Sequence, residues 1–310
     1  MKILISDKLQ EEGIKIFEEN GFEVIKNFTI TKEELKEKIG EYDGIVVRSR
    51  TKLTADVLEN AINLKVIGRA GVGLDNIDCK KASELNIEVL NTPEALAVSV
   101  AEFALGLILA LFRKISYADR TTHEGKWNKN ECLGYTLNGK KLGLIGFGNV
   151  AKDLAKITIA MGMNVGVFSR FSKGKIAIDE AEKMGVSIFS SIEDLLKKAQ
   201  IISLHLPSSP QTENIINEER LRLMRKDAIV INTARGSLID EKALLKALKN
   251  KDIAGAALDV YHEEPLKNQE LINWSENLIL TPHIASQSIE SQSTAAITIA
   301  EKMSNYLTSK

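Results

Sequence analysis

The chain has 310 residues, of which 44% are hydrophobic and 27% charged, so it can bury a large core and exceeds the length at which one core usually divides. Its 41 basic and 42 acidic residues nearly cancel, so no global field attracts nucleic acid or an anionic membrane. Cys79 and Cys132 form no CxxC pair, which argues against a disulfide framework and a zinc site. We therefore expect two domains, a small-molecule partner and the reducing cytoplasm.

The first half of the chain alternates short apolar runs with helical patterns. It opens with MKILIS and turns polar at once, unlike a secretory signal. Strands are predicted at KILIS, FEVI, GIVV, KVIG and IEVL, and helices at residues 9–20 and after the capping box of Thr31 and Glu34. Such alternation predicts a mostly parallel sheet with helices on both faces.

Residues 95–112, ALAVSVAEFALGLILALF, are nearly long enough to span a bilayer as a helix. The segment contains Ser99 and Glu102, and a carboxylate in mid-membrane costs on the order of a few kcal/mol. We therefore predict no membrane role but a buried helix. One pair of domains would leave much of its apolar surface in water, which favours a subunit interface and a homodimer.

The second half begins the strand and helix alternation afresh. Six strands are predicted at KLGLIGFG, NVGVF, IISLHLP, AIVINTARG, IAGAALDV and NLILTPH, and a helix at residues 241–249. Six near-parallel strands complete a dinucleotide-binding sheet, whereas the first half has no glycine fingerprint. The predicted fold class is α/β with two doubly wound parallel-sheet domains. A Rossmann domain (95–283) is inserted in a flavodoxin-like substrate domain (1–94 and 284–310).

The sequence GFGNVA directly follows the strand KLGLI and opens a helical stretch, which is the context of a dinucleotide fingerprint. Gly146 permits the tight turn, and Gly148 allows the backbone to approach a pyrophosphate. Asn149 and Val150 begin the helix, whose free N–H groups face the phosphates, and Ala151 lets the helix pack on the strand. A glycine-rich turn in a unit without a ligand is the alternative.

A site that prefers NAD places Asp or Glu after the second strand of the Rossmann unit, where the carboxylate binds the ribose hydroxyls. Here the strand at 164–168 is followed by Ser169 and Arg170. A hydroxyl and a guanidinium bind a 2′-phosphate through charge-assisted hydrogen bonds. We therefore expect NAD(H) or NADP(H), with a preference for NADP(H). A solvated loop position for Arg170 is the alternative.

Three polar residues stand at or beyond strand ends in the second half: Arg235, Glu264 and His283. Because ligands of an open α/β sheet bind outside the carboxyl ends of its strands, we expect these side chains to converge. Each residue alone is ordinary, as a surface arginine, a turn glutamate or a structural histidine. The HExxH spacing is absent and no cluster of metal ligands is expected, so we expect no metal.

The motifs GFGNVA, INTARGSLIDE, ALDVYHEEP and LTPHIASQS occur in this order and resemble the D-isomer-specific 2-hydroxyacid dehydrogenase family over essentially the whole chain. The resemblance implies hydride transfer between a nicotinamide and a 2-hydroxy or 2-oxo acid, catalysed by Arg235, Glu264 and His283. The requirements of hydride transfer to a 2-oxo acid give these three residues the same roles. Arg235 binds and polarises the substrate, His283 exchanges the proton, and Glu264 stabilises imidazolium and fixes its tautomer.

The resemblance also implies further contacts near the nicotinamide. They are expected from Leu206, Pro207, Thr233, Ala234, Asp259, Ala285 and Ser286. A turn or cap role is the alternative for Asp259, and His205 is expected to line the cofactor cleft. The chain departs from the family at Ser169, where Asp is usual, and at 285–287, where Gly-Gly or Gly-Ala followed by Ser is common.

The loops VRSRTKLT and GRAGVGLDNID carry a local surplus of cations. Arg48, Arg50 and Arg69 suit a substrate with a carboxylate at one end and a phosphate at the other, and Val72 and Gly73 offer backbone N–H groups. These loops resemble phosphoglycerate dehydrogenases most, with 3-phosphoglycerate as the implied substrate and no appended regulatory domain. A glyoxylate or hydroxypyruvate reductase is the alternative. A second alternative, which is not an enzyme, is a nucleotide-sensing corepressor or scaffold of the same fold.

Overall fold

The computed structural model describes residues 1–169 and 175–309, and the chain divides into two compact units. The first unit comprises Met1–Ala97 and Gln287–Lys310, and the second comprises Val98–Ser286. The strands are β1 (Lys2–Ile5), β2 (Glu23–Lys26), β3 (Gly44–Val47), β4 (Val66–Arg69), β5 (Glu88–Asn91), β6 (Lys141–Ile145), β7 (Asn164–Phe168), β8 (Ser187–Ile188), β9 (Ile201–Leu204), β10 (Ile229–Asn232), β11 (Gly255–Leu258) and β12 (Leu278–Leu280).

The helices include both long amphipathic segments and single turns. They are α1 (Glu11–Glu19), α2 (Lys32–Lys38), α3 (Ala55–Leu58), α4 (Cys79–Glu84), α5 (Ala97–Phe112), α6 (Ile115–His123), α7 (Asn149–Ala160), α8 (Lys175–Lys183), α9 (Ile192–Lys198), α10 (Glu218–Leu223), α11 (Glu241–Lys249), α12 (Gln269–Asn273) and α13 (Ile289–Thr308).

The first unit is a five-stranded parallel sheet in the order β2-β1-β3-β4-β5, which is the flavodoxin-like doubly wound arrangement. All five predicted strands are present. The Thr31–Glu34 capping box is also present: each side chain accepts a hydrogen bond from the other residue's backbone N–H. The C-terminal helix α13 packs on α1 and β4, so the unit is completed by the end of the chain.

The second unit is a seven-stranded parallel sheet in the order β8-β7-β6-β9-β10-β11-β12. The six predicted strands are present, and the run β8-β7-β6-β9-β10-β11 has the Rossmann order 3-2-1-4-5-6. The sequence did not predict β8, because a strand of two residues shows no alternation. β9, β10 and β11 are buried at every position, as expected when helices cover both faces of a parallel sheet.

The strand order of the second unit reverses between β6 and β9, and this switch point opens a crevice at the carboxyl ends of the strands. The predicted α/β fold class is confirmed. The apolar segment forms α5, which buries Ala101, Ala104, Ile108 and Phe112 in the core of the second unit. Within residues 1–169 and 175–309, no helix combines the length and the hydropathy needed to cross a membrane.

Candidate active site

The ends of β10, β11 and β12 form one edge of the second sheet, and Arg235, Glu264 and His283 follow these three strands. Nδ1 of His283 lies 2.7 Å from Oε2 of Glu264, so the imidazole donates its Nδ1 hydrogen to the carboxylate. The two side chains are 48% and 38% exposed, which leaves the pair open to a ligand. The structure therefore brings a histidine and a carboxylate together at the predicted edge.

The surroundings of Glu264 favour its charged form. Burial by itself raises the pKa of this carboxyl group, but the hydrogen bond from His283 and the histidine's charge lower it. The backbone N–H of Tyr261 and the positive charge of Arg235 lower it further. The net result is a pKa below the ordinary value, which keeps the carboxylate ionised at neutral pH.

His283 has a positive φ of 55°, a backbone region that residues with a Cβ rarely adopt. The carboxylate of Asp259 secures the following backbone by accepting the N–H groups of Ile284 and Ala285 at 2.9 and 2.8 Å. It also accepts the hydroxyl of Thr281 at 2.6 Å. Asp259 is fully buried, so its charge is compensated by three donors from the segment that carries His283. Its predicted contact with the nicotinamide stays a prediction.

Arg235 sits in a turn that the side chain of Asn232 closes. The Asn232 amide donates to the Arg235 carbonyl at 2.8 Å and its oxygen accepts Ala234 N–H at 3.1 Å. The next residue must be glycine, because a Cβ at Gly236 would lie 1.9 Å from the carbonyl carbon of Tyr261. The arginine turn thus packs directly against the backbone that leads to Glu264.

The dinucleotide fingerprint has the predicted strand, turn and helix context. Gly146 has a φ of 101°, and a Cβ there would lie 2.3 Å from the carbonyl oxygen of His205. Gly148 is the N-cap of α7, Asn149 is exposed at the first helical position, and Ala151 is fully buried against the strand. A twelve-residue helix therefore begins with accessible N–H groups at the switch point, which fits a pyrophosphate.

The remaining predicted cofactor residues follow β7, β9 and β10 and differ in how deeply they are buried. Ser169 is buried directly after β7, and Arg170 lies outside the described residues. Leu206 is half-buried and Pro207 exposed after β9. Among the described residues, Thr233 carries a buried hydroxyl without a hydrogen-bond partner. That unsatisfied hydroxyl beside the Arg235 turn fits a bound polar ligand.

Three further residues on this edge are held by the protein. Ala285 is buried and its carbonyl accepts the Ser99 hydroxyl at 2.9 Å, whereas Ser286 is half-buried. His205 is partly buried beside Ser203, whose Oγ lies 2.9 Å from its Nε2. Burial lowers the pKa of His205 to about 4, so its imidazole is neutral at physiological pH. In the described ranges, no group of three His, Cys, Asp or Glu residues is placed to hold a metal ion.

In the first unit, two of the three predicted substrate arginines lie beside a buried carboxylate. Asp7, which is 4% exposed, lies 3.0 Å from Nε of Arg50 and accepts the Arg48 N–H and the Thr51 hydroxyl. Arg50 also donates to the carbonyls of Ser6 and Ile30, so most of its donors are used inside the unit. Its role as a substrate contact stays a prediction.

Arg48 is bound more loosely than Arg50. Its side chain makes one 3.3 Å hydrogen bond to the Lys8 carbonyl. Burial lowers the pKa of the Arg48 guanidinium, and the opposing effect of the Asp7 charge is smaller. The loop at the end of β4 exposes Val72 and half-buries Gly73 beside Arg69. The Asn91 amide fixes this loop by donating to the Val72 carbonyl at 2.7 Å.

Sequence reasoning missed the residues that hold these loops. Asp7 follows β1, Asn76 lies in the loop after β4, and Asn232 is the last residue of β10. Their side chains bind backbone atoms of the predicted site residues. The available signal was a short polar side chain directly beyond a buried strand, which often closes a turn. Tyr261 was hidden because a tyrosine after a strand also suits a core position.

The fold and this site define a doubly wound α/β protein of the dinucleotide-binding class. A family model described as "D-isomer specific 2-hydroxyacid dehydrogenase, NAD binding domain" matches residues 105–285. The chain belongs to the D-isomer specific 2-hydroxyacid dehydrogenase family.

Relatives that are similar over nearly the whole of this chain agree with this family. The chain is 46% identical over 307 residues to a D-3-phosphoglycerate dehydrogenase of Methanocaldococcus jannaschii, covering 99% of this chain but only 57% of that relative. It is 40% identical to a hydroxypyruvate reductase of Thermotoga maritima, covering 97% of each. The structure of an acyclic imino acid reductase (Bsp5) in complex with NADPH and D-Arg is similar with a TM-score of 0.89 and 33% identity, covering 100% of this chain and 98% of the other.

Proposed function

We propose that the protein is a D-2-hydroxyacid dehydrogenase, which transfers hydride between a nicotinamide and a 2-oxo acid. The observation that carries this proposal is the 2.7 Å contact of His283 with Glu264 at the carboxyl edge of a Rossmann sheet, beside the turn that carries Arg235. Family membership and the fingerprint that begins α7 support it.

The proposed roles follow from the geometry. Because Nδ1 of His283 is bound to Glu264, Nε2 remains to exchange a proton with the substrate oxygen. The carboxylate of Glu264 stabilises the imidazolium and fixes the Nδ1–H tautomer. The guanidinium of Arg235 binds the substrate carboxylate and polarises the carbonyl group. A bound nicotinamide supplies the hydride.

For the cofactor, the family model supports a nicotinamide dinucleotide. The residues proposed to hold it are Gly146, Gly148, Asn149 and Val150 at the phosphates, with Thr233 and Ala234 beyond β10. We propose a preference for NADP(H), because Ser169 offers a hydroxyl where a carboxylate would repel a 2′-phosphate. The similarity to a reductase described with NADPH supports this preference.

For the substrate, we propose 3-phosphohydroxypyruvate and D-3-phosphoglycerate, a step of serine biosynthesis. The first unit supplies Arg48, Arg50 and Arg69 as cations and the Val72–Gly73 backbone as donors. The Methanocaldococcus jannaschii relative supports this choice. The second candidate is hydroxypyruvate or glyoxylate reduction, which is favoured by the Thermotoga maritima relative because the two chains cover 97% of one another.

We also propose that the protein is a cytoplasmic homodimer. Large apolar side chains are exposed on the second unit: Val98 is 55%, Trp127 85% and Leu133 81% exposed. A dimer would cover such a surface. Both cysteines are free, as a reducing compartment requires. Light scattering tests the dimer, and a monomer at micromolar concentration would contradict it.

One screen tests substrate and cofactor together. 3-Phosphohydroxypyruvate, hydroxypyruvate, glyoxylate and pyruvate are each assayed with NADH and NADPH by absorbance. We expect the highest kcat/KM with 3-phosphohydroxypyruvate and NADPH. His283→Gln should lower kcat by about two to four decades while dinucleotide affinity barely changes. If the protein reduces none of the four acids, the dehydrogenase proposal is wrong.

A further inference from the structure

Tyr261 lies three residues beyond β11 and contacts the carboxylate of Glu264 directly and the His283 segment at Thr281. Its N–H donates to Oε1 of Glu264 at 3.1 Å. Its hydroxyl donates to the Thr281 carbonyl oxygen at 2.8 Å, with the Leu258 carbonyl oxygen 3.1 Å away. The N–H of His283 donates to the same Thr281 oxygen at 3.1 Å. One phenol therefore fixes the carbonyl group against which the His283 backbone is held.

The hydroxyl of Tyr261 is buried and stays protonated. The side chain is 7% exposed and packs in the core of the second unit with Leu238 and Leu258. Burial raises the pKa of this phenol to about 12. The hydroxyl hydrogen is therefore retained at physiological pH.

The backbone at His283 needs such support. A φ of 55° persists in a non-glycine residue only where the surrounding structure holds it. Asp259 holds the residues after His283, and Tyr261 holds Thr281, two residues before it. If the Thr281 end is released, the histidine can relax towards a common conformation and its ring can turn away from Glu264.

We propose that the Tyr261 hydroxyl is a positioning group for proton transfer, which orients the His283 imidazole on Glu264 by holding the Thr281 carbonyl. The Tyr261 hydroxyl does not contact the imidazole and acts on His283 through the Thr281 carbonyl. The inference rests on the proposed dehydrogenase function, because proton exchange at His283 is part of that reaction.

The test compares Tyr261→Phe with Tyr42→Phe. Both substitutions remove a phenol hydroxyl from a side chain that is 7% exposed, and Tyr42 lies in the first unit. For Tyr261→Phe we expect about a tenfold loss of kcat and a dinucleotide Kd within about twofold of wild type. We also expect the pH midpoint of kcat to move in the direction seen in Glu264→Gln, since both changes weaken the pairing of the imidazole with the carboxylate.

The charged groups around this segment are Glu264 and Arg235 beside the imidazole, Asp259 below the loop and Glu241 near Tyr261. All four are retained in Tyr261→Phe, so a moved pH midpoint reports changed geometry. A kcat and a pH profile equal to those of wild type would overturn the proposal. Equal losses in the two tyrosine variants would overturn it as well.

A second readout separates this inference from the proposed function. The His283 ring is titrated by NMR in the protein without ligands, with His283→Gln used for assignment. A midpoint that moves in Tyr261→Phe and not in Tyr42→Phe supports the positioning role, even if no 2-oxo acid is reduced. Titration curves that coincide in wild type and both variants would refute it, whatever the enzyme's activity.

Discussion

Nε of Arg50 lies 3.0 Å from Oδ1 of Asp7, and this ion pair joins two loops at the carboxyl edge of the first sheet. Asp7 is 4% exposed and also accepts the N–H groups of Arg48 and Thr51. The pair gives the two neighbouring arginines different tasks. Arg50 holds the loop, whereas Arg48 has one 3.3 Å side-chain contact and more of its donors to offer.

Arg48→Ala should lower kcat/KM for 3-phosphohydroxypyruvate by about tenfold to a hundredfold, since one charge-assisted hydrogen bond is worth about 1.5 to 3 kcal/mol. The kcat/KM for glyoxylate, which has no phosphate, should hardly change. Steady-state kinetics with both acids measures the difference. Equal losses would mean that Arg48 holds the loop or the shared carboxylate, and the phosphoglycerate assignment would lose its main physical support.

Arg50→Ala is the matched comparison, and it should act mainly on stability. Removing the guanidinium leaves the buried carboxylate of Asp7 with fewer donors, which costs on the order of 1 to 2 kcal/mol after allowance for the 48% exposure of Arg50. Denaturant unfolding of the two arginine variants measures this. A larger loss of stability in Arg48→Ala than in Arg50→Ala would reverse the assignment of the two side chains.

Glu264→Gln should move the histidine-dependent limb of the pH profile to lower pH, because a neutral amide no longer stabilises the imidazolium of His283. In wild type the folded-state pKa of Glu264 lies below its ordinary value of 4.5. Stabilisation by the carboxylate is therefore present above pH 4.5 and is lost only as the pH falls through the lower folded value. The pH dependence of kcat checks this, with Glu263→Gln as the control. Superimposable profiles for wild type and Glu264→Gln would break the proposed pair.

Ser169→Asp should shift the cofactor preference towards NADH. The new carboxylate can accept hydrogen bonds from the ribose hydroxyls and repels a 2′-phosphate. The ratio of kcat/KM for NADH and NADPH measures the shift, and Ser169→Asn, which has a similar shape without the charge, is the control. An unchanged ratio in Ser169→Asp would refute the argument from this position.

His205 should make the protein less stable in acid. The folded-state pKa of about 4 lies below the ordinary 6.5, so between these values the unfolded chain binds a proton that the folded chain does not. Stability therefore falls as the pH drops from 6.5 towards 4, by at most about 3 kcal/mol at about 1.36 kcal/mol per pKa unit. Unfolding experiments at both pH values measure the loss. His205→Gln should remove this part of the dependence of the unfolding free energy on pH, whereas His123→Gln, at an exposed position, should keep it. If wild type and both variants show the same pH dependence, His205 is not its cause.

The sequence by itself determined eleven of the strands and the sheet edge at which the proposed site lies. Alternation of apolar runs with helical patterns specified five strands in the first unit and six in the second. The reason is that the apolar residues on the buried face of a strand or helix recur with the period of that element. The glycines after β6 and the polar residues after β10 and β12 identified the carboxyl edge, since parallel strands all end on one side. Local signals were sufficient for these features.

Tertiary structure decided which polar residues support others. No pattern distinguishes Arg50, bound to a buried aspartate, from Arg48 two residues earlier, because Asp7 is more than forty positions away in the chain. Asp259 and Tyr261 likewise hold the His283 segment from about twenty residues away. A hydrogen bond depends on distances and angles that are fixed only when the strands are packed side by side. The sequence could therefore supply the proposed catalytic groups but not the contacts that orient them.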